Sequence, residues 1–317
     1  MTAYKTQYVK KDKRSNRTIS FWAVCKSLRP NGSIFKQEKD EAPPLYNQVE
    51  VEVQVPHLVS FDTLRAKGSS FLLSSRESSR LAFRTLVRKY NCDLCYTPMI
   101  VAADFVRSEK ARDSEFTTNQ GDCPLIVQFA ANDARLLSDA ARIVCPYANG
   151  IDINCGCPQR IHDDLARTVD LCRKAEATGV SWITVHGRTV EERHQPVHYE
   201  AIKIIKENMS IPVIANGDIR SLKEAENVCH ITGTNGVMVA RGLLANPAMF
   251  AGYEETPLKC IWDWVDLALE LGTPFMCFHQ HLMYMMEKIT SRQEKRIFNA
   301  LSSTSAVLDY LTDNYGI

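Results

Sequence analysis

An α/β barrel of the TIM type is the fold class this sequence predicts, and three observations carry it. From Arg80 onward, amphipathic helix periods alternate with short apolar runs, the mark of a parallel sheet. Those runs end in polar residues at matching positions, and the last two end in glycine-bearing turns, one of them holding an arginine. Beyond them, residues 251–317 carry helix-period stretches such as LKCIWDWVDLALEL and QHLMYMMEKI, and nothing that reads as a strand. Six strands are countable, so the predicted (β/α)8 barrel is incomplete, with a small C-terminal helical region behind it.

Taken in order, residues 1–77 have a texture of their own. They are serine-rich, punctuated by RPNGS, EAPP and SSRESS, with EVEVQV (50–55) and SFLL (70–73) as strand-like pieces, and are expected to be poorly ordered. The barrel is expected over 78–250 and the helical region over 251–317. A helix over 81–90 precedes strand CDLCY (92–96) and strand LIVQFA (125–130). Asn132 is expected to cap the next helix, whose Leu136, Leu137, Ala140, Ile143 and Val144 share one face. Strand GIDIN (150–154) follows, then a helix over 164–177 closed by Gly179 and strand VSWITV (180–185). A helix near 199–208, strand IPVIAN (211–216), a helix opened by a Ser221–Glu224 capping box and strand GVMVA (236–240) complete the alternation.

Composition narrows the function classes. With 45% apolar and 24% charged residues the chain has ordinary globular usage, and a net charge of +1 gives no global pull toward polyanions. Eleven cysteines, an odd and scattered set, point to reduced thiols and a cytoplasmic or nuclear setting. Cys92 and Cys95 have CxxC spacing, but in a strand residues three apart face opposite ways, so no zinc site is expected there. A basic start (Lys10, Lys11, Lys13, Arg14) without an apolar run behind it, and no stretch of 18 apolar residues, lead us to expect neither a leader peptide nor a membrane span.

The chemistry is expected where barrels place it, at the carboxyl ends of the strands. Gln128, Asn154, His186 with Gly187 and Arg188, Asn216-Gly217-Asp218, and Ala240-Arg241-Gly242 all stand there. A core has no use for so many polar groups at one end. The final two turns read as an anion cradle, in which glycines admit backbone N–H groups and Arg241 brings a fixed charge. A phosphorylated ligand is the expectation.

The same segments carry a family resemblance. YTPMI (96–100), PLIVQF (124–129), GIDINCGCPQ (150–159), ITVHGRT (183–189), IPVIANGDI (211–219) and GVMVARGLLANP (236–247), in that order, resemble the tRNA-dihydrouridine synthases, nearest to their eukaryotic dihydrouridine synthase 4-like branch. The likeness runs over about 80–317. It implies a barrel holding FMN at its mouth, reduced by NADPH, with hydride passing from flavin N5 to C6 of a tRNA D-loop uridine. It also implies cofactor contacts by Gln128, Asn154, His186, Asn216, Gly217, Asp218, Ala240, Arg241 and Gly242. Contact with tRNA would fall to Lys288, Arg292, Lys295 and Arg296, read as one helix, with Arg107, Lys110 and Arg112 near the mouth. A soluble monomer acting on tRNA is the expected form.

Two parts of the family pattern have no counterpart. The general-acid cysteine expected after GCPQ and the fifth-strand lysine are missing, because Asp152 and Ile183 stand only 31 positions apart, room for one strand-helix-strand passage where the family has two. The APM-type first strand is replaced by SFLLSSRESS, so unpaired strand edges and poor closure are expected. Cys155 and Cys157 belong to the structural motif and are not expected to replace the acid. At most traces of dihydrouridine are therefore expected. Two alternatives stay open: a tRNA- or flavin-binding variant without catalysis, and another TIM-barrel flavin oxidoreductase.

Overall fold

Short apolar runs rich in Val and Ile supply the strands. The computed structural model, which describes residues 22–25, 69–72, 81–154, 165–188, 192 and 195–316, joins them in one nine-stranded sheet. In chain order come β1 (Trp22–Cys25), β2 (Ser69–Leu72), α1 (Leu81–Lys89), β3 (Cys95–Tyr96), β4 (Ile100–Val101), α2 (Ala102–Arg107), α3 (Glu109–Glu115) and β5 (Leu125–Ala130). Then follow α4 (Ala134–Val144), β6 (Gly150–Asn154), α5 (Leu165–Glu176), β7 (Val180–His186), α6 (Tyr199–Glu207), β8 (Val213–Asn216), α7 (Leu222–Thr232) and β9 (Gly236–Val239). The short α8 (Arg241–Ala245) leads to four closing helices, α9 (Leu258–Glu270), α10 (Phe275–Met285), α11 (Arg292–Asn299) and α12 (Thr304–Tyr315).

The neighbour order β2-β9-β8-β7-β1-β6-β5-β3, with β4 also on β5, shows how the missing strands are made good. The 69–72 segment takes the first-strand place, pairing in parallel with β9 from Ser69–Gly236 to Leu72–Val239 and lying beside β3. The gap between β6 and β7 is filled by β1, which runs antiparallel to both and pairs Trp22 with Asn154 on one side and with Thr184 on the other. The expected open edges on β6 and β7 are thus covered, because a ladder left without partners costs each buried N–H and C=O its hydrogen bond. Nothing in the sequence had marked WAVC as a strand, and EVEVQV (50–55) lies outside the described residues. Among the described residues β1 makes the only antiparallel pairings.

Local chemistry accounts for the element ends, with three corrections. Asp133, not Asn132, caps α4, its carboxylate accepting from the N–H of Arg135 at 2.8 Å and of Leu136 at 3.1 Å. The cap sits one residue later, so Ala141 joins Leu137, Ala140 and Val144 in the buried face while Ile143 stays exposed. In α7 the Ser221 hydroxyl accepts from Glu224 N–H, but the Glu224 carboxylate returns to Arg220 N–H at 2.6 Å, one residue before a capping box would place it. The reciprocal box appears instead at Ser291 and Glu294. Strand CDLCY shortens to β3, since Asn91 takes a left-handed φ of 67° and turns the chain before it. Cys92 and Cys95 therefore do not diverge; their Sγ atoms lie 3.9 Å apart, both buried.

Helix α1 ties the molecule together. Its Phe83 stacks on His281 of α10, ring centroids 4.4 Å apart, and meets Trp264 of α9 edge-on. Lys89 and Tyr90 both reach Asp263, so the C-terminal helices share a core with the barrel. Arg84, 2% exposed, donates through Nε and Nη2 to Asp122 Oδ2 at 2.9 and 2.6 Å, and Arg88 adds a 3.2 Å contact to Oδ1. This buried carboxylate anchors α1 to the loop entering β5.

Two outcomes follow. Removing residues 1–27 should unpair β6 and β7 and lower the melting temperature by at least about 4 °C, the shift that ~2 kcal/mol produces in a domain of this size class; an unchanged melting curve would show that β1 carries no stability. Asp122→Ala leaves two guanidiniums without their buried partner and should cost about 3–5 kcal/mol in urea unfolding.

Candidate functional site

The barrel interior is layered. Leu94, Tyr96, Ile126, Trp182, Ile214 and Met238 form a buried cluster separate from the core beneath the outer helices, so they face inward. Side chains alternate along a strand, and the next inward positions toward the carboxyl ends are Gln128, Thr184 and His186, and Asn216. Asp152 and Asn154 join them, Asp152 standing opposite Gln128 and His186 opposite Asn216 in the ladders. An apolar plug thus carries a polar floor, and the sequence-predicted residues from four different strands come together on it.

The floor is held by directed hydrogen bonds. Gln128 N–H donates to Thr97 Oγ at 3.0 Å, and Gln128 Nε2 donates to Asp152 Oδ2 at 2.9 Å. Asn154 Nδ2 donates to Gln128 Oε1 at 3.4 Å and to Met99 Sδ at 3.1 Å, while Asn216 Nδ2 donates to Met238 C=O at 2.7 Å. Burial raises the Asp152 carboxyl well above the usual carboxylate range, which favours its uncharged form. Among the described residues Asp152 Oδ1, Thr184 Oγ and Asn216 Oδ1 meet no hydrogen-bonding partner. Buried polar atoms left unmet cost about 1–3 kcal/mol each, and the Thr184 hydroxyl can donate as well as accept, so this floor suits a ligand with hydrogen-bonding groups of both kinds. Asp152 and Thr184 were not singled out from the sequence; the period-2 register with Asn154 and His186 was the signal that could have found them.

At the rim the chain turns sharply. Gly217 adopts φ +143° and Asp218 φ +47°, and Tyr199 OH donates to Gly217 C=O at 2.7 Å. The Asp218 carboxylate accepts from both Arg188 and Arg241. Arg188 is buried and also donates through Nε to Gln195 C=O at 2.7 Å, whereas the Arg241 side chain is 74% exposed. Two guanidiniums on one carboxylate leave a positive surplus, and Arg220 stands close enough to add to it. Arg188, part of HGRT, is the rim residue the sequence reading mentioned without assigning a role. A Cβ at Gly242 would run into the Ile219 carbonyl and come within 3.2 Å of Arg220 Cα, and one at Gly217 would meet Val197 at 2.9 Å. Both glycines therefore serve close packing of the rim loops.

Cys155 and Cys157 lie outside the described residues. Lys288, Arg292 and Arg296 are exposed and Lys295 half-exposed, but they do not share one helix: Lys288 follows α10, near Glu254 C=O at 3.4 Å, and the other three lie on α11. Arg112 donates to the carbonyls of Phe105 and Val106, closing α2, while Arg107 and Lys110 remain exposed. Among the described residues no His, Cys, Asp and Glu cluster could hold a metal ion, and no helix is long and apolar enough to cross a membrane.

Comparison with known proteins settles the family. The profile of the dihydrouridine synthase (Dus) family matches residues 75–162 and 159–309. The chain belongs to the dihydrouridine synthase family. A human protein named tRNA-dihydrouridine(20a/20b) synthase (NAD(P)+)-like is 79% identical over 280 residues, covering 75% of this chain and 88% of its own length. A tRNA-dihydrouridine synthase-like protein of Caenorhabditis elegans is 42% identical over 74% of this chain and 97% of its own, and the tRNA-dihydrouridine(20a/20b) synthase of Saccharomyces cerevisiae is 39% identical over 75% and 77%. These relatives place the chain in the eukaryotic dihydrouridine synthase 4-like branch. The 280 aligned positions outnumber three quarters of this 317-residue chain, so the human relative carries a stretch inside the match that this synthase chain lacks. The profile match divides at 159–162, where the sequence reading puts the missing unit.

The Asp218 bridge makes a pH-dependent prediction. Its hydrogen bond from Arg188, before other charges, holds the carboxylate below its ordinary pKa. The pairing therefore stabilises the fold at pH above about 4, the unfolded value, and is lost as pH falls through the depressed folded value. Asp218→Asn should melt below wild type at pH 7, with the difference shrinking on acidification in calorimetry. A gap that persists at the lowest pH reached would refute the charge pairing.

Proposed function

We propose that this chain is an FMN-binding tRNA-dihydrouridine synthase of much reduced turnover, with NADPH as reductant. The observation that carries the reading is the polar floor with unmet polar atoms beneath a rim of surplus positive charge, in a chain of the dihydrouridine synthase family. Those residues fit FMN: Gln128, Asn154, His186 and Asn216 would line the ring, and the rim around Gly217, Asp218, Ala240, Arg241 and Gly242, with Arg188, would take the phosphate. The cofactor, when bound, supplies hydride transfer to a uracil ring. The chain's own share is to bind and orient both rings, to exclude water with the apolar plug below them, and to hold the phosphate.

Proton delivery is the weak step. Reduction of the uracil 5,6 double bond requires a proton at C5, and positioned general acids contribute about 100- to 10,000-fold. No cysteine among the described residues stands on the floor, and the Asp152 carboxyl is fully buried and engaged with Gln128. Contact with tRNA falls to the exposed Lys288, Arg292 and Arg296 with the half-exposed Lys295, and should weaken steeply with salt.

Purified protein should carry FMN, seen by its absorption. Arg241→Ala should weaken FMN binding about tenfold, less than a buried charge-assisted contact of about 1.5–3 kcal/mol allows, because Arg241 is exposed and shared with Asp218. Transcript tRNA incubated with the protein, FMN and NADPH should gain only traces of dihydrouridine. A rate comparable with that of complete relatives would overturn the argument from the missing acid, and a colourless protein that takes up no FMN would overturn the cofactor reading.

A further inference from the structure

We infer that Cys92 and Cys95 form a two-electron redox couple, a dithiol that hydrogen peroxide converts to an intrachain disulfide where the chain passes from α1 into β3. The inference starts from a proximity that strand spacing does not foretell. Asn91, in the left-handed region at φ 67°, turns the chain between α1 and β3, and the two Sγ atoms come within 3.9 Å, hydrogen-bond reach for sulfur. A disulfide brings its sulfurs to about 2.05 Å, so rotation of the two side chains and a small shift of one turn suffice to close it. Among the described residues no third His, Cys, Asp or Glu joins the pair to make a metal-holding group. Two residues beyond Cys95, Thr97 Oγ accepts the Gln128 N–H, so the couple adjoins the segment that supports the polar floor.

Charge gives the two thiols different parts. Arg88 is close enough to both sulfurs to interact with their charge; its Nη2 donates to Asp122 Oδ1 and Pro124 C=O, and its buried Nε meets no hydrogen-bonding partner among the described residues. Burial opposes ionisation of Cys95, but the hydrogen bond with Cys92 and the charges of Arg88 and Arg84 outweigh burial and Asp122 together and hold this thiol below its ordinary value. The hydrogen bond with Cys95, followed by burial, pushes the Cys92 thiol well up. Cys95 is therefore the nucleophile and Cys92 the resolving thiol. Cys95 Sγ attacks one peroxide oxygen, the O–O bond breaks, the sulfur is oxidised to a sulfenic acid, and the departing hydroxide takes up the proton that Cys95 gave away. Cys92 Sγ then attacks Cys95 Sγ, the S–O bond breaks, and the hydroxide released takes the Cys92 proton. Two thiols and one peroxide thus give one disulfide and two waters. Both cysteines are buried while the neighbouring Asn91 is exposed, so opening of this turn admits an oxidant as small as peroxide in preference to bulky disulfides.

The test treats the reduced full chain with hydrogen peroxide at neutral pH, blocks the remaining thiols with N-ethylmaleimide and digests with trypsin. Cleavage after Lys89 and Arg107 leaves both cysteines, and no others, in the peptide 90–107. By mass spectrometry most of that peptide should have lost two hydrogens, with the far-ultraviolet circular dichroism of the intact protein unchanged, and should regain them after dithiothreitol. Cys92→Ser should halt at the sulfenic acid and take a dimedone adduct on Cys95, whereas Cys95→Ser should give at least tenfold less adduct on Cys92, an asymmetry that mere packing of two thiols would not produce. Alanine replaces serine if either variant does not fold. A peptide 90–107 that stays reduced, a disulfide that forms only in urea, or dimedone labelling of Cys92 equal to or above that of Cys95 overturns the inference.

Discussion

Backbone hydrogen bonding between β6 and β7 is the constraint on which the rest of this structure depends. Each of these strands offers a row of N–H and C=O groups toward the other, and a barrel closes only if every such row is met. β6 and β7 follow one another in the chain but do not pair; one strand's place lies open between them. Strand β1 meets both rows at once, running antiparallel to each. Antiparallel pairing demands no crossover helix, so a short segment from a distant part of the chain can serve. The order of β5, β6, β7, β8 and β9 about the mouth then survives, and with it the set of strand ends that makes the site.

Burial sorts that site into two halves with different physics. Below, Tyr96, Trp182, Ile214 and Met238 close the barrel as a dry plug, and burial at its upper face raises the Asp152 carboxyl above the usual carboxylate range. Above, amides, a hydroxyl and a carboxyl on the same inward positions form a floor on which Asp152 Oδ1, Thr184 Oγ and Asn216 Oδ1 meet no partner among the described residues. The step from plug to floor is a single strand repeat of two residues, as in Ile126 to Gln128 or Ile214 to Asn216. A one-residue slip of any of these strands would send its polar side chain toward the outer helices. Register is therefore a functional property here, and the paired neighbours on both sides of each strand are what hold it.

The rim follows a different rule. Its charges are arranged around Asp218, which restrains Arg188 and Arg241 without neutralising both. Rim glycines let the loops after β8 and β9 pack against each other, which fixes where those charges stand. The C-terminal helices brace the assembly from outside, through Phe83, Trp264 and His281 and through Asp263. That contact explains why the helical region cannot be treated as an appendage.

The sequence by itself determined the parallel strands, the helices between them and the residues at the strand ends, because periods of two and of 3.6 residues and the polar groups that interrupt them are local properties. It also showed that a strand-helix unit was missing after Gln159. Short-range reading misplaced what depends on geometry within a turn: Asp133 rather than Asn132 caps α4, and the turn at Asn91 brings Cys92 and Cys95 together. Basic residues spaced like one helix proved to belong to α11 and the segment before it. Only the tertiary structure decided that WAVC would become β1, since four residues have no period to read and their place is set by unmet hydrogen bonds in strands 125 or more residues away. The contact of Asp152 with Gln128 was hidden for the same reason: a carboxyl in the middle of a strand acquires its partner only when another strand is laid beside it.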